Sequence, residues 1–146
     1  MAKSFYFNAS ALAKRYVPEK GSAQVHAILD GVPRDRISLI SIAVGEVVSI
    51  LVRKRNAGII SAAYFGQAYA DFENEILHTR DVKKVSVSNR LALSSLPLIV
   101  AHSINSNDAV TLKSALTIAR RLRRAGDDLS LSPRTSASSA PRRRKG

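Results

Sequence analysis

Short apolar runs recur along this chain, and a helical stretch follows each of the first three. Ser4–Phe7, Ile37–Ser41 and Val82–Val87 have strand composition and the length of a buried parallel strand. Leu129-Ser-Leu131 begins a fourth. The intervening segments read as helices: Ala9–Tyr16 ended by Pro18, Gly21–Leu29 with Gly31 after it, and Ile42–Asn56 stopping at Gly58. Ser61–Leu77, Asn89–His102 with a break near Pro97, and Asn107–Arg124 closed by Gly126 follow. Pro33–Arg36 reads as a turn. Strands alternating with helices predict an α/β fold, a parallel sheet covered on both faces.

The chain has 146 residues, enough for one domain with a real core. It contains no tryptophan and few Phe and Tyr, so that core must be mostly Leu, Ile, Val and Ala. It has no cysteine, which excludes disulfides and thiolate metal sites and suits a reducing, cytoplasmic location. The first residues lack the long apolar core of a signal peptide. The run Leu91–Ala101 is too short to span a bilayer, so no membrane partner is expected.

The net charge of +12 points to a polyanionic partner, most simply nucleic acid. Residues 120–146 hold nine Lys/Arg against Asp127 and Asp128, a net of +7, leaving +5 for residues 1–119. A solvated basic tail is an equally good reading of that concentration. Residues 132–146 contain no large apolar side chain and are expected to be a disordered Ser/Pro/Arg-rich tail beyond a domain of residues 1–131.

Four polar residues are candidates for chemistry. Asn8 stands at the carboxyl end of the first strand, where open α/β sheets gather ligands, and Ser10 is on the turn beyond it. On the helix after the second strand, apolar side chains cover about 200° of the circumference at ~100° per residue. The remaining stripe is Gly45, Glu46, Ser49 and Arg53, so Glu46 faces either solvent or a cleft. Asp108 opens the last long helix, where an acid either caps backbone N–H groups or serves a site. Asp127 and Asp128 read as a polar turn. His26, His78 and His102 have no metal-ligand spacing and read as structural or exposed.

Three segments together resemble the PIN-domain ribonucleases, most closely the VapC-like toxins of VapBC toxin–antitoxin pairs. They are Phe5-Tyr-Phe-Asn-Ala-Ser-Ala-Leu-Ala-Lys-Arg-Tyr-Val-Pro-Glu19, Ile42-Ala-Val-Gly-Glu-Val-Val-Ser-Ile-Leu51 and Asn107-Asp-Ala-Val-Thr-Leu-Lys-Ser-Ala-Leu116. The resemblance covers roughly residues 4–131. It implies a three-layer α/β/α sandwich and a metal-dependent endoribonuclease, a hydrolase cleaving RNA phosphodiester bonds. It also implies a cluster of acids binding Mg²⁺ or Mn²⁺, hard cations that take oxygen ligands. Glu46 and Asp108 match acidic positions, Ser10 matches a hydroxyl position, and Asn8 stands where the family has its first aspartate. The implied metal ligands are thus Asn8, Glu46 and Asp108. The implied partners are RNA, a cognate antitoxin and a second copy in a homodimer.

Two departures qualify these expectations. An amide at position 8 ligates without charge, so activity is expected to be impaired; a PIN module that binds RNA or antitoxin without cutting is the alternative. The family's fourth acid falls at Thr135, inside the basic tail, and the closing elements are missing, as in a truncated or altered C-terminus. The abrupt switch of composition after Leu131 is what a GC-rich gene read out of frame would encode. A third reading is a basic nucleic-acid-binding protein whose tail supplies most of the affinity and whose acids serve only structure.

Overall fold

A computed structural model describes residues 3–131. Four parallel strands, β1 (Lys3–Phe7), β2 (Ile37–Ile40), β3 (Lys83–Val85) and β4 (Asp128–Leu131), form one sheet in the order β3-β2-β1-β4. Seven α-helices accompany them among the described residues: α1 (Ala9–Ala13), α2 (Ser22–Gly31), α3 (Ser41–Asn56), α4 (Ala62–Phe72), α5 (Asn89–Ser94), α6 (Leu96–His102) and α7 (Ser106–Arg124). The fold is therefore α/β with helices flanking a parallel sheet, as the alternation predicts. The expected tail lies outside the described residues.

The central strands explain why the sheet is legible. All four residues of β2 are buried, so it reads as an unbroken apolar run rather than an alternating one. In β1, Phe5 pairs with Ile37 on one side and Ser130 on the other. Tyr6 and Phe7 are buried on opposite faces, because side chains alternate across a strand. Tyr6 donates its hydroxyl to Ser114 Oγ of α7 at 3.0 Å, which fixes α7 on the Tyr6 face. Burial pushes that phenol up to about 12, opposed by the Ser114 bond and a backbone bond at Ile40.

The helices form two groups. α1 packs against α3 and α2, and α3 against α4; α5 and α6 pack against α7, which also meets β4. Right-handed crossovers put the helices before β3 on one face and those after it on the other. Leu12, Val25, Leu29, Leu51, Phe72 and Ile76 belong to the buried core, and Tyr16 meets Phe72 edge-on at 5.4 Å between ring centres.

Several boundaries differ from expectation for identifiable reasons. The helix from Ser61 begins as α4, capped by the Ser61 hydroxyl, but its last turn, Glu73–Leu77, widens to π geometry. β3 is only three residues long, and Val87, expected in the strand, is exposed. An edge strand with one neighbour has less to hold its ends. The break near Pro97 falls at Ser95, between α5 and α6, with the proline in the first turn of α6. Among the described residues, no helix is long and apolar enough to cross a membrane.

Candidate functional site

The strand order decides where a ligand can enter. From β1 the chain steps to β2 and then β3; it then returns across the sheet to place β4 on the other side of β1. The connections therefore diverge between β1 and β4, and the carboxyl ends of strands at such a switch point are where open α/β sheets bind ligands. Asn8 follows β1 directly. Its backbone is extended, and its side-chain Oδ1 accepts the Ala11 N–H at 2.8 Å, capping α1. Ser10, in the first turn of α1, is exposed.

Glu46 reaches the region from α3, which starts at Ser41 with no loop after β2. Ala43, Val47 and Leu51 bury one side of this helix, while Gly45, Ser49 and Arg53 are exposed. Glu46 lies between, half-buried, and no side chain comes within 4 Å of where a Cβ on Gly45 would be. Its carboxyl is held above the ordinary range, first by burial and second by the negative charge of Asp108. That second cause places Asp108 within electrostatic reach, although it belongs to a helix on the other side of the sheet.

Asp108 does not cap its helix, which corrects one of its two sequence readings. The cap of α7 is Asn105, whose Oδ1 accepts the Asp108 N–H at 2.8 Å. The Asp108 carboxylate stands exposed in the first turn, where the helix dipole favours it. It makes no hydrogen bond or ion pair within the described residues.

Glu46 thus feels the charge of Asp108, and Asn8 stands at the switch point. Asp127 and Asp128 are excluded: Asp128 pairs with Lys3 at the opposite end of the strands from Asn8. Position 135 lies outside the described residues. His26 contacts Arg15 at 2.8 Å and His78 approaches Glu73 at 3.5 Å. Among the described residues there is no group of three or more His, Cys, Asp or Glu placed to hold a metal. The candidate donors are the carboxylates of Glu46 and Asp108, the amide oxygen of Asn8 at the cap of α1, and the hydroxyl of Ser10 within that helix. All are hard oxygen donors, which fits Mg²⁺ or Mn²⁺ in kind. A cation would also offset the two causes that raise the Glu46 carboxyl, burial first and the charge of Asp108 second.

Much of the first motif is structural. Lys14 is buried and donates to the Lys20 carbonyl at 2.6 Å. Gly21, at φ +94°, leaves it room: a Cβ there would lie 2.9 Å from Lys14 Nζ. Arg15 bridges Asp30 at 2.7 Å and Glu75 at 2.9 Å, tying α1 to α2 and the π turn. One feature escaped the sequence reading, a cavity whose lining includes Lys83, Arg90, Lys113 and Arg121. The only signal for it was Lys113 and Arg121 recurring on one helical face.

No family model matches the chain, and no curated protein matches it in sequence.

Proposed function

We propose that this chain is a PIN-type, metal-dependent endoribonuclease of a toxin–antitoxin pair, weakened by Asn8. What supports the reading is that Glu46 feels the negative charge of Asp108, a residue of a separate helix, in a fold whose sheet switches direction beside Asn8. Glu46, Asp108 and the Asn8 amide oxygen would hold Mg²⁺ or Mn²⁺. The bound ion supplies a water of lowered pKa and offsets charge on the scissile phosphate. The chain's own residues do the rest. Two carboxylates repel a phosphodiester by on the order of 1–4 kcal/mol per charge pair at close range, so RNA approaches only when a cation lies between them. Burial orients Glu46, while exposed Asp108 stays open to water and substrate. The net charge of +12 draws RNA in.

RNA and a cognate antitoxin are the partners of this reading, in the cytoplasm. Leu93, Leu96 and Val100, exposed on α5 and α6, are apolar surface of the kind a protein partner or second copy covers. The second reading, a module that binds without cutting, is favoured by Asn8 leaving only two carboxylates at the site.

Cleavage of end-labelled RNA in Mn²⁺ or Mg²⁺ tests both. The first reading expects weak cleavage, abolished by chelator and by Glu46→Gln or Asp108→Asn. Cleavage indifferent to chelator and to both substitutions would sink it. RNA binding with no cutting until Asn8→Asp is introduced would select the second.

A further inference from the structure

A cavity of about 500 Å³ opens between β3, α5 and α7. Among the described residues, four cationic side chains line it, Lys83, Arg90, Lys113 and Arg121, and no carboxylate does. Their convergence follows from local geometry. Lys83 and Val85 are two apart on β3 and share a face; Lys84 turns the other way and donates to the Thr79 and Val82 carbonyls. Lys113, Thr117 and Arg121 are spaced by four on α7 and form one stripe. Ser114, bonded to the Tyr6 hydroxyl, holds that stripe over the sheet.

Among the described residues, none of the four cations has an ion pair or a side-chain hydrogen bond. The carboxylates Asp30, Glu73 and Glu75 serve Arg15, Arg34 and His78 instead. Four like charges around a concavity repel one another and focus a positive potential inside it. A bound anion is what balances such an arrangement. Lys and Arg suit phosphate, Arg by paired N–H donors. Leu91 and Ile118 add an apolar patch that can take the face of a ring. The volume falls within the usual range for small-ligand sites.

We infer that this cavity binds a phosphate-bearing ligand of nucleotide size, its phosphates on the Lys/Arg ring and its base on Leu91 and Ile118. The site is distinct from the acid pair, since Asn8, Ser10, Glu46 and Asp108 do not line it. At 1.5 Å rise per residue, Lys113 lies about 7.5 Å and Arg121 about 20 Å down α7 from Asp108. The inference stands whether or not the chain cleaves RNA.

Isothermal titration of the full chain with ATP, inorganic pyrophosphate and adenosine, at ~0.15 M ionic strength, tests it. ATP should bind saturably and more tightly than pyrophosphate, with adenosine weakest. Lys113→Gln with Arg121→Gln should weaken ATP at least ~10-fold. Lys83→Gln with Arg90→Gln, on different elements, should do the same and guards against one pair failing to fold. Arg120→Gln with Arg123→Gln removes equal charge from the same helix outside the lining and should change affinity less than ~2-fold. Equal weakening by the lining and control pairs would overturn the site, as would adenosine matching ATP or absence of saturable ATP binding.

Discussion

Placing a carboxylate at the end of β1 is the most decisive perturbation. Asn8→Asp adds one negative charge and almost no volume. The Ala11 N–H, now 2.8 Å from Oδ1, would meet a carboxylate oxygen instead, and Asp caps helices about as well as Asn. The fold should therefore survive, with a thermal midpoint close to that of the parent. A unit charge pair at 4 Å near a protein surface is worth on the order of 4 kcal/mol. The amide oxygen already supplies part of this as a dipole, and the site is only half-buried, so the usable gain is smaller. A gain of ~1.4–4 kcal/mol corresponds to Mn²⁺ binding ~10- to 1000-fold tighter. Titration calorimetry with Mn²⁺ measures it directly, and RNA cleavage should rise in parallel. Adding Glu46→Gln should remove most of the gain, because groups sharing one ion do not act additively. A folded Asn8→Asp variant with unchanged Mn²⁺ affinity would refute the placement of position 8 in the site.

Further expectations concern the acids, the caps and the tail. Glu46 has a raised proton affinity in the folded chain, so the native state binds more protons than the unfolded chain between the two titrations, and stability falls as pH rises through that window. Glu46→Gln should accordingly stabilise the protein at neutral pH, with the gain vanishing below the ordinary carboxylate range; a denaturation series against pH reads this out. NMR titration should find the Glu46 carboxyl shifted down in Asp108→Asn. Asn105→Ala should cost about 0.5–2 kcal/mol in urea unfolding through loss of the α7 cap, whereas Asp108→Asn should cost far less. Deleting residues 132–146 removes five Lys/Arg. If the tail dominates RNA binding, the salt slope should drop by up to about 3.5, at ~0.7 per phosphate contact on a single strand. A slope that barely moves would place the affinity in residues 1–131.

The sheet was legible because its central strands are buried on both faces. Ile37–Ile40 carries no solvent-side polar alternation beyond Ser38, itself buried, so composition marks it clearly. The edge strand β3 was overextended because Val82–Val87 has the same composition without the same number of neighbours. Helix ends were blurred where the polar residue had two uses. Asp108 reads as a cap by position, but Asn105 three residues earlier takes that role, and no propensity ranks one above the other. The burial of Lys14 had no signal in the sequence, because its partner is a backbone carbonyl whose location depends on the turn at Gly21. The approach of Glu46 to Asp108 was invisible to spacing altogether. It arises from the return crossover that sets β4 beside β1 and carries α7 across the sheet.

That crossover also explains why a changed residue at position 8 does not erase the candidate site. In a parallel open sheet, the crevice comes from strand order, not from the side chain that decorates it. With an amide and not a carboxylate at position 8, the strand order and the cap of α1 stand as they are. What changes is charge, and charge governs ion affinity more than it governs shape. The consequence is an ordering of effects. Substitutions at Asn8 that keep an oxygen at the cap should move metal binding while sparing stability. Asn8→Ala should lower both together, because the same oxygen that would face the ion also holds the Ala11 N–H.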